Sequence, residues 1–467
     1  MPIRLRSAPV TMRSRSLLLG LLWFLSACAD SDLLLPPSSM PIDQQLRQLL
    51  AQWNVVPIGP IQQQAPARVE LGRLLFFDKI LSGNRDVACA TCHHPLHHGA
   101  DGLHLAIGTG GTGLGPARAL GPGRQSVPRN SPSLLNQGLR AEYLFWDGRL
   151  SGHGSGPFTA PPGVVLPAGL SNIVAAQAML PVLNRIEMRG ERGDRDVFGN
   201  PNELAEYEDS EYPLIWDAIM RRLLAIPEYA DRFRRAFPEV PASSLKFSHA
   251  AEAIAAFVIQ EFARYGSPFD RYLDRDDAAL SAEAKRGALL FFGRAGCGFC
   301  HNGPLLGGGS FANVGIPQFG PGVGSGAPLD LGRAEVLKLQ FPGAAGSYRF
   351  AFRVPPLRNV ELTAPYMHNG AYPTLEAVVR HYNDVAAALR NYDLNQLPPE
   401  LRAAYHGGEE VIGDILARLH PAVSRRLNLT EEERGALVAF LKSLTDPRAR
   451  DLSALIPASV PSGLPLP

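Results

Sequence analysis

Apolar residues recur at helical spacing in a few separated stretches of the chain, and long Gly- and Pro-rich runs lie between them. Leu46, Leu49, Leu50 and Trp53 share one face of a short amphipathic helix, expected to pack against a later domain. Gly72-Arg-Leu-Leu-Phe-Phe77 and Gly287-Ala-Leu-Leu-Phe-Phe292 are near copies, an internal repeat in which a helix delivers an apolar face. Further helices are predicted from Phe247 to Arg264, from Leu375 to Tyr382 and from Glu431 to Leu444. Thr430 can cap the last of these ahead of Glu431, Glu432 and Glu433, whose charges suit its positive end. Ile107–Arg124, Ser151–Gly169, Arg189–Pro213 and Gly303–Pro328 lack periodicity and read as loops, the middle two as surface insertions.

The pattern predicts a mainly α chain made of a duplicated unit, with a seam near Tyr265-Gly266-Ser267-Pro268. Residues 65–264 and 265–450 form the two halves, residues 29–64 a tether and short helix, and residues 451–467 a tail that is disordered or draped on the surface. Gly108, Gly110 and Gly113 match a dinucleotide-binding glycine pattern in form only. No strand precedes them, and Gly115-Pro116 breaks any helix that could face a phosphate.

At 467 residues the chain is long enough for two or three cores. A net charge of +1 argues against nucleic acid as a partner. Arg4, Arg6, Arg13 and Arg15 precede the apolar run Leu17–Leu25, and Leu25-Ser26-Ala27-Cys28 follows, so residues 1–28 read as a lipoprotein-type signal ending at a lipidated Cys28. An ordinary signal peptide cleaved near Ala29 is the alternative. The run is too short to remain as a membrane span, so the membrane is reached only through the lipid, and the location expected is the periplasm.

Four of the five cysteines fall in Cys89-Ala90-Thr91-Cys92-His93 and Cys297-Gly298-Phe299-Cys300-His301. Two cysteines followed at once by histidine form the c-type haem attachment pattern: each thiol adds to one vinyl group of the porphyrin, and the adjacent imidazole reaches the iron. A zinc ribbon needs its pairs far closer in sequence, and a redox dithiol has no use for the histidine. Two covalently bound haem c groups are therefore expected, one in each half, which gives two cytochrome c-like haem domains with long Gly/Pro-rich loops.

With these motifs, Arg129-Asn130-Ser131-Pro132, Phe145-Trp146-Asp147-Gly148-Arg149, Asn184-Arg-Ile-Glu187-Met188 and Thr363-Ala-Pro-Tyr-Met-His368-Asn-Gly, the sequence resembles the bacterial dihaem cytochrome c peroxidase superfamily over roughly Pro66 to Leu444. The resemblance implies that the His93 haem is peroxidatic and the His301 haem relays electrons, with Trp146 between them. It implies that Glu187 is the distal acid, with Gln177 and Pro181 beside it; splitting H2O2 requires a group that takes a proton from one oxygen and returns it to the other. It further implies an interdomain calcium held by Asn130, Thr363 and Pro365, a hard oxygen site poor in charge.

Two departures from the ordinary pattern stand out. Where the family carries Ile-Gly-His, with the histidine ligating the first iron, this chain has Ile107-Gly108-Thr109, which leaves that iron open unless His97, His98 or His104 substitutes. At the second haem, the position counted from His368 that ordinarily holds methionine is Tyr382, the MauG pattern, with Met367 and His381 as rival ligands. A phenolate would favour ferric iron. The expected function is a dihaem peroxidase reducing H2O2 at the first haem with electrons from a small c-type cytochrome or cupredoxin. The alternatives are a MauG-like oxidation of a partner protein, and a dihaem electron carrier with no chemistry of its own.

Overall fold

A computed structural model describes residues 39–139 and 142–467; the signal-peptide reading at residues 1–28 lies outside these. The described chain is mainly helical, and its strands are two-residue antiparallel pairs: β1 (Tyr143–Leu144) with β2 (Leu150–Ser151), and β3 (Phe311–Ala312) with β4 (Phe352–Arg353). Eight helices organise it: α1 (Ile42–Gln52), α2 (Pro66–Phe77), α3 (Tyr212–Leu224), α4 (Pro227–Ala236), α5 (Phe247–Glu261), α6 (Ala282–Phe292), α7 (Leu375–Asn383) and α8 (Glu431–Lys442). Shorter helices and helical turns fill the loops between them.

Each half is built on one helix crossing, and a glycine notches each crossing. A Cβ at Gly72 of α2 would stand 1.8 Å from the Ala253 carbonyl oxygen of α5. A Cβ at Gly287 of α6 would stand 1.9 Å from the Ala436 carbonyl oxygen of α8. Only a residue without a side chain lets the two backbones meet this closely. The apolar residues that follow each glycine then fill the two cores: Leu74, Leu75, Phe76 and Phe77 in the first, Phe291 and Phe292 in the second. The predicted repeat is thus a repeated packing device. As expected, Thr430 accepts from the Glu433 amide and Glu433 accepts from the Thr430 amide, a capping box at the start of α8.

Helix α1 precedes the first half in sequence but folds into the second. Leu46, Leu49 and Leu50 are buried in the second core, and Trp53 Nε1 donates to the Phe292 carbonyl at 2.8 Å. The chain end makes the reverse crossing and differs from the expected tail. Leu452, Leu455, Val460 and Leu464 are buried in the first core, and Ser462 Oγ donates to Asp78 Oδ1 at 2.6 Å. Apolar residues at irregular spacing carry no periodic signal, so the sequence reads this packed segment as a tail either disordered or draped on the surface.

The 189–213 insertion is the expected surface segment, with Val197 and Phe198 exposed, but buried polar residues anchor it from within. Arg189 is 1% exposed and donates to Asp209, while Asn202 is fully buried and its amide joins Asn84 to the Arg189 carbonyl. It holds a helical turn, Glu203–Glu206, which Asn202 caps, and a 3-10 turn, Asp209–Glu211. A polar network, not an apolar stripe, orders the segment.

Candidate haem sites

Both Cys-x-x-Cys-His stretches are short helical turns that begin just beyond a core helix. Cys89–Cys92 is one α-turn, its start tied by Thr91 Oγ1 accepting from the Ala88 amide at 2.9 Å; Cys297–Phe299 is a 3-10 turn. His93 Nδ1 bonds the Gly99 carbonyl at 3.0 Å and His301 Nδ1 bonds the Leu306 carbonyl at 3.0 Å. A carbonyl can only accept, so both imidazoles carry their proton on Nδ1 and keep a lone pair on Nε2, the tautomer an iron ligand needs. Burial pushes the Cys89 and Cys297 thiols up to about 12. Neutral, apolar-lodged thiols are unlike those of an active redox dithiol, which is kept as thiolate by nearby positive charge. The two turns fit covalent haem.

Over the first motif lies the Glu187 turn, a π-helical turn spanning Arg185–Arg189; such turns concentrate at functional sites. Asn184 Oδ1 accepts from the Ile186 and Glu187 amides, and Asn184 Nδ2 donates to Glu187 Oε1 at 3.3 Å. Burial pushes the Glu187 carboxyl above its ordinary range, with the charge of Arg149 opposing the shift, and Glu187 in turn acts on the Cys92 thiol. Pro181 opens the 3-10 turn Pro181–Leu183, which packs on the Glu187 turn. Gln177 is fixed by Gln137, whose Nε2 donates to Gln177 Oε1 at 2.9 Å.

Thr109 underlies the same turn. It is 3% exposed, its amide donates to the Ile186 carbonyl at 3.0 Å and its hydroxyl donates to the Arg185 carbonyl at 3.2 Å. Gly108 lies flush on Ile186 and Glu187, where a Cβ would stand 2.0 Å from the Ile186 carbonyl oxygen. Of the histidines that could substitute, His98 Nδ1 bonds the Ala449 carbonyl at 3.0 Å and His104 Nδ1 bonds the Gly370 carbonyl at 2.6 Å, both in the second half of the chain. His97 lies against Gly115.

The second motif opens on a large cavity lined by Cys297, Cys300, His301, Tyr382, Met367 and His368. Asn130, Thr363, Pro365 and Trp146 line the same cavity. Tyr382 lies on α7, close enough to the Cys297 and Cys300 thiols that they join burial in pushing its hydroxyl up. His381 uses both nitrogens, each at 2.8 Å: Nε2 donates to the Val314 carbonyl and Nδ1 accepts from the Tyr372 hydroxyl, so its one lone pair is already taken. His368 is 3% exposed and stacks on Phe352 at 3.5 Å. Its carbonyl accepts from the Asn130 amide at 2.8 Å, and Asn130 Nδ2 donates to the Leu103 carbonyl at 2.6 Å, which fixes the side chain between the halves. Trp146 Nε1 donates to the Asn130 carbonyl at 2.9 Å.

Sequence reasoning missed a buried charge cluster that ties the halves together. Arg129 joins Asp147 at 2.5 Å to Asp330 at 2.7 Å, all three largely buried. The signal available was the run of charged residues inside otherwise apolar motifs, Arg129 beside Asn130 and Asp147 beside Trp146.

A helical chain with two such loops, each set under its own glycine-notched crossing, is a dihaem c-type oxidoreductase. It belongs to the di-haem cytochrome c peroxidase family, which includes MauG. The family model described as di-haem cytochrome c peroxidase matches residues 66–278, and a cytochrome c-like model of the RoxA-like type matches residues 351–384. The chain is 34% identical to cytochrome c551 peroxidase of Pseudomonas aeruginosa, over 81% of this chain and 86% of that one. It is 30% identical to methylamine utilization protein MauG of Methylorubrum extorquens, over 88% and 89%. A solved MauG-like protein associated with microbial copper homeostasis superposes with a TM-score of 0.57 at 25% identity, covering 87% of this chain and 97% of that one.

Proposed function

We propose that this protein reduces hydrogen peroxide at the His93 site with electrons that enter through the second half, passing by Trp146. The observation that carries this reading is the turn over Cys92, where Glu187 stands ready while Thr109 spends its hydroxyl on the Arg185 carbonyl. Haem held by Cys89, Cys92 and His93 supplies redox-active iron. The protein's own part is proton handling: Glu187 takes a proton from one peroxide oxygen and gives it to the other as the O–O bond breaks, so that oxygen leaves as water. Burial raises the proton affinity of Glu187 toward the working pH, which suits a group that must both take and give. With its carbonyl occupied by Gln137, Gln177 keeps its NH2 for the peroxide, and Pro181 braces the Glu187 turn.

Glu187→Gln should lower peroxide turnover by at least about a hundredfold with haem content unchanged. It should also remove the acid limb: because the carboxyl is shifted up, wild-type turnover falls as pH drops through that raised value. Undiminished turnover in Glu187→Gln defeats the reading.

One observation favours a second reading, MauG-like oxidation of a partner protein. Tyr382 lines the cavity of the second motif while neighbouring His381 has no free nitrogen. A Tyr382 ligand, its proton displaced by the iron charge, would hold that haem ferric and favour oxidation at a distance. Tyr382→Met should raise the potential of the second haem and change its low-spin spectrum; an unchanged spectrum removes Tyr382 as a ligand. A protein that only carries electrons would show neither reaction with peroxide nor loss in Glu187→Gln. On either enzymatic reading we place calcium at Asn130, Thr363 and Pro365, the donor among small c-type cytochromes or cupredoxins, and the protein in the periplasm on a lipid at Cys28.

A further inference from the structure

Buried arginines in this fold are nearly all accounted for. Arg129 has Asp147 and Asp330, Arg189 has Asp209, and Arg358 has Asp270 at 2.8 Å. Arg118, without a carboxylate, donates from each of its three nitrogens to a carbonyl, those of Ile107, Gly113 and Gly108. Arg353 is the exception. It is 2% exposed, yet among the described residues it makes no ion pair; Nε donates to the Phe145 carbonyl at 3.0 Å, and Nη1 is buried with no partner.

A guanidinium buried without an anion costs several kcal/mol in general, and folds keep such a group only where something pairs it. Arg353 lines the cavity that holds Cys297, Cys300 and His301. Asp147, the carboxylate whose field reaches it, is already committed to Arg129 and Arg149. The missing partner must therefore come with what fills the cavity. The tetrapyrrole of haem c keeps two carboxylates after its vinyl groups are used by the cysteines.

We propose that Arg353 is the anchor for a propionate carboxylate of the haem at His301, and that through this pair it positions Trp146. The second clause rests on the backbone of the same residue. The Arg353 amide donates to the Trp146 carbonyl at 2.7 Å and its Nε to the Phe145 carbonyl, so the strand β4 that carries the cation also carries the tryptophan segment. One residue thereby links a carboxylate of the relay haem to the indole between the halves. The sign of its effect follows from charge: a cation that neutralises a propionate favours ferrous iron, so its removal leaves an unpaired anion that favours ferric iron.

The inference rests on the assignment of covalent haem to Cys297 and Cys300, and the test separates the two. Holoprotein, Arg353→Gln and Arg353→Lys are compared by mass for haem content, by spectroelectrochemistry for the midpoint of each haem, and by resonance Raman for the propionate bending mode. In Arg353→Gln the ferric-to-ferrous ratio of the His301 haem at fixed potential should rise about tenfold, a downward shift of about 59 mV for one electron. The Raman mode of that haem should move, and the His93 haem should stay in place. Arg353→Lys, which keeps the charge, should lie within about threefold of wild type; should Arg353→Gln not fold, a Lys variant with an unmoved Raman mode overturns the anchor. A His301 midpoint within twofold of wild type in Arg353→Gln also overturns it, as does an equal shift of both haems. A midpoint that follows chloride or phosphate concentration in the wild type assigns the arginine to a free anion and overturns it too. Absence of haem mass on the Cys297 peptide defeats the parent assignment along with it.

Discussion

Gly72→Ala is the sharpest test of how the two halves are built. The added Cβ would stand 1.8 Å from the Ala253 carbonyl oxygen, more than 1 Å inside the 3.0 Å that real Cβ contacts respect, and the obstacle is backbone, which cannot swing away. Overpacking of this kind costs typically about 1–3 kcal/mol, here at the upper end because α2 and α5 must separate along the crossing. Alanine's better helix propensity returns about 1 kcal/mol. The net loss is thus about 2 kcal/mol, or roughly 4–8 °C in Tm for a unit of this size. Gly287→Ala should act alike on the second half, where the Ala436 carbonyl stands at 1.9 Å. Gly413, inside the helix Glu409–Leu416 with nothing within 4 Å of its Cβ position, is the control; Gly413→Ala should gain up to about 1 kcal/mol. Thermal unfolding of the holoproteins, followed at each haem band, reads all three. If Gly72→Ala melts with the wild type, the glycine-notched crossing is not what frames the first haem loop.

Arg129→Met should cost about 3–5 kcal/mol at neutral pH, because it strands the buried Asp330 carboxylate and leaves Asp147 with Arg149 alone. Arg129 holds the Asp147 and Asp330 carboxyls below the usual range, so the stabilisation is complete above the ordinary carboxylate pKa and fades as pH falls through the lowered values. Denaturant melts of wild type and variant should therefore converge in acid, and a gap that stays constant counts against the pairing. Leu464→Ala should destabilise the first half by about 2–4 kcal/mol and leave the second alone, read at the two haem bands as before. A loss confined to the second half would contradict the packing of the chain end.

The repeat, the haem loops and the capping box at Thr430 are legible in the sequence because each depends on local spacing: periodic leucines and phenylalanines, two cysteines and a histidine, a threonine ahead of three glutamates. What the repeat's glycines do is not legible, since the carbonyls that Gly72 and Gly287 must clear belong to helices far along the chain. The same distance hides the partner of Ser462, which is Asp78, and the bond from Thr109 to Arg185. Helices α3 and α4 escape a reading made from motifs because they carry packing and long-range bonds, such as Tyr229 to Asp78, and no chemical motif.

The distribution of buried charge explains why two near-identical loops come to differ. Around the first motif, Thr109 and Arg118 spend donors on carbonyls, and the groups left are carboxyls: Asp86 and Asp101, each with one buried oxygen that lacks a partner, and Glu187 on its π-helical turn, all three with proton affinity raised by burial. Around the second, the cavity walls keep an unpaired guanidinium and a phenol with its proton held on by burial. The first arrangement suits proton transfer to a small substrate, and the second suits an occupant that brings negative charge and a metal. Trp146 is tied at its indole to the Asn130 carbonyl and at its own backbone carbonyl to the Arg353 amide, so it is held from both halves of the chain. The asymmetry thus resides less in the repeated motifs than in which polar groups each pocket leaves unpaired.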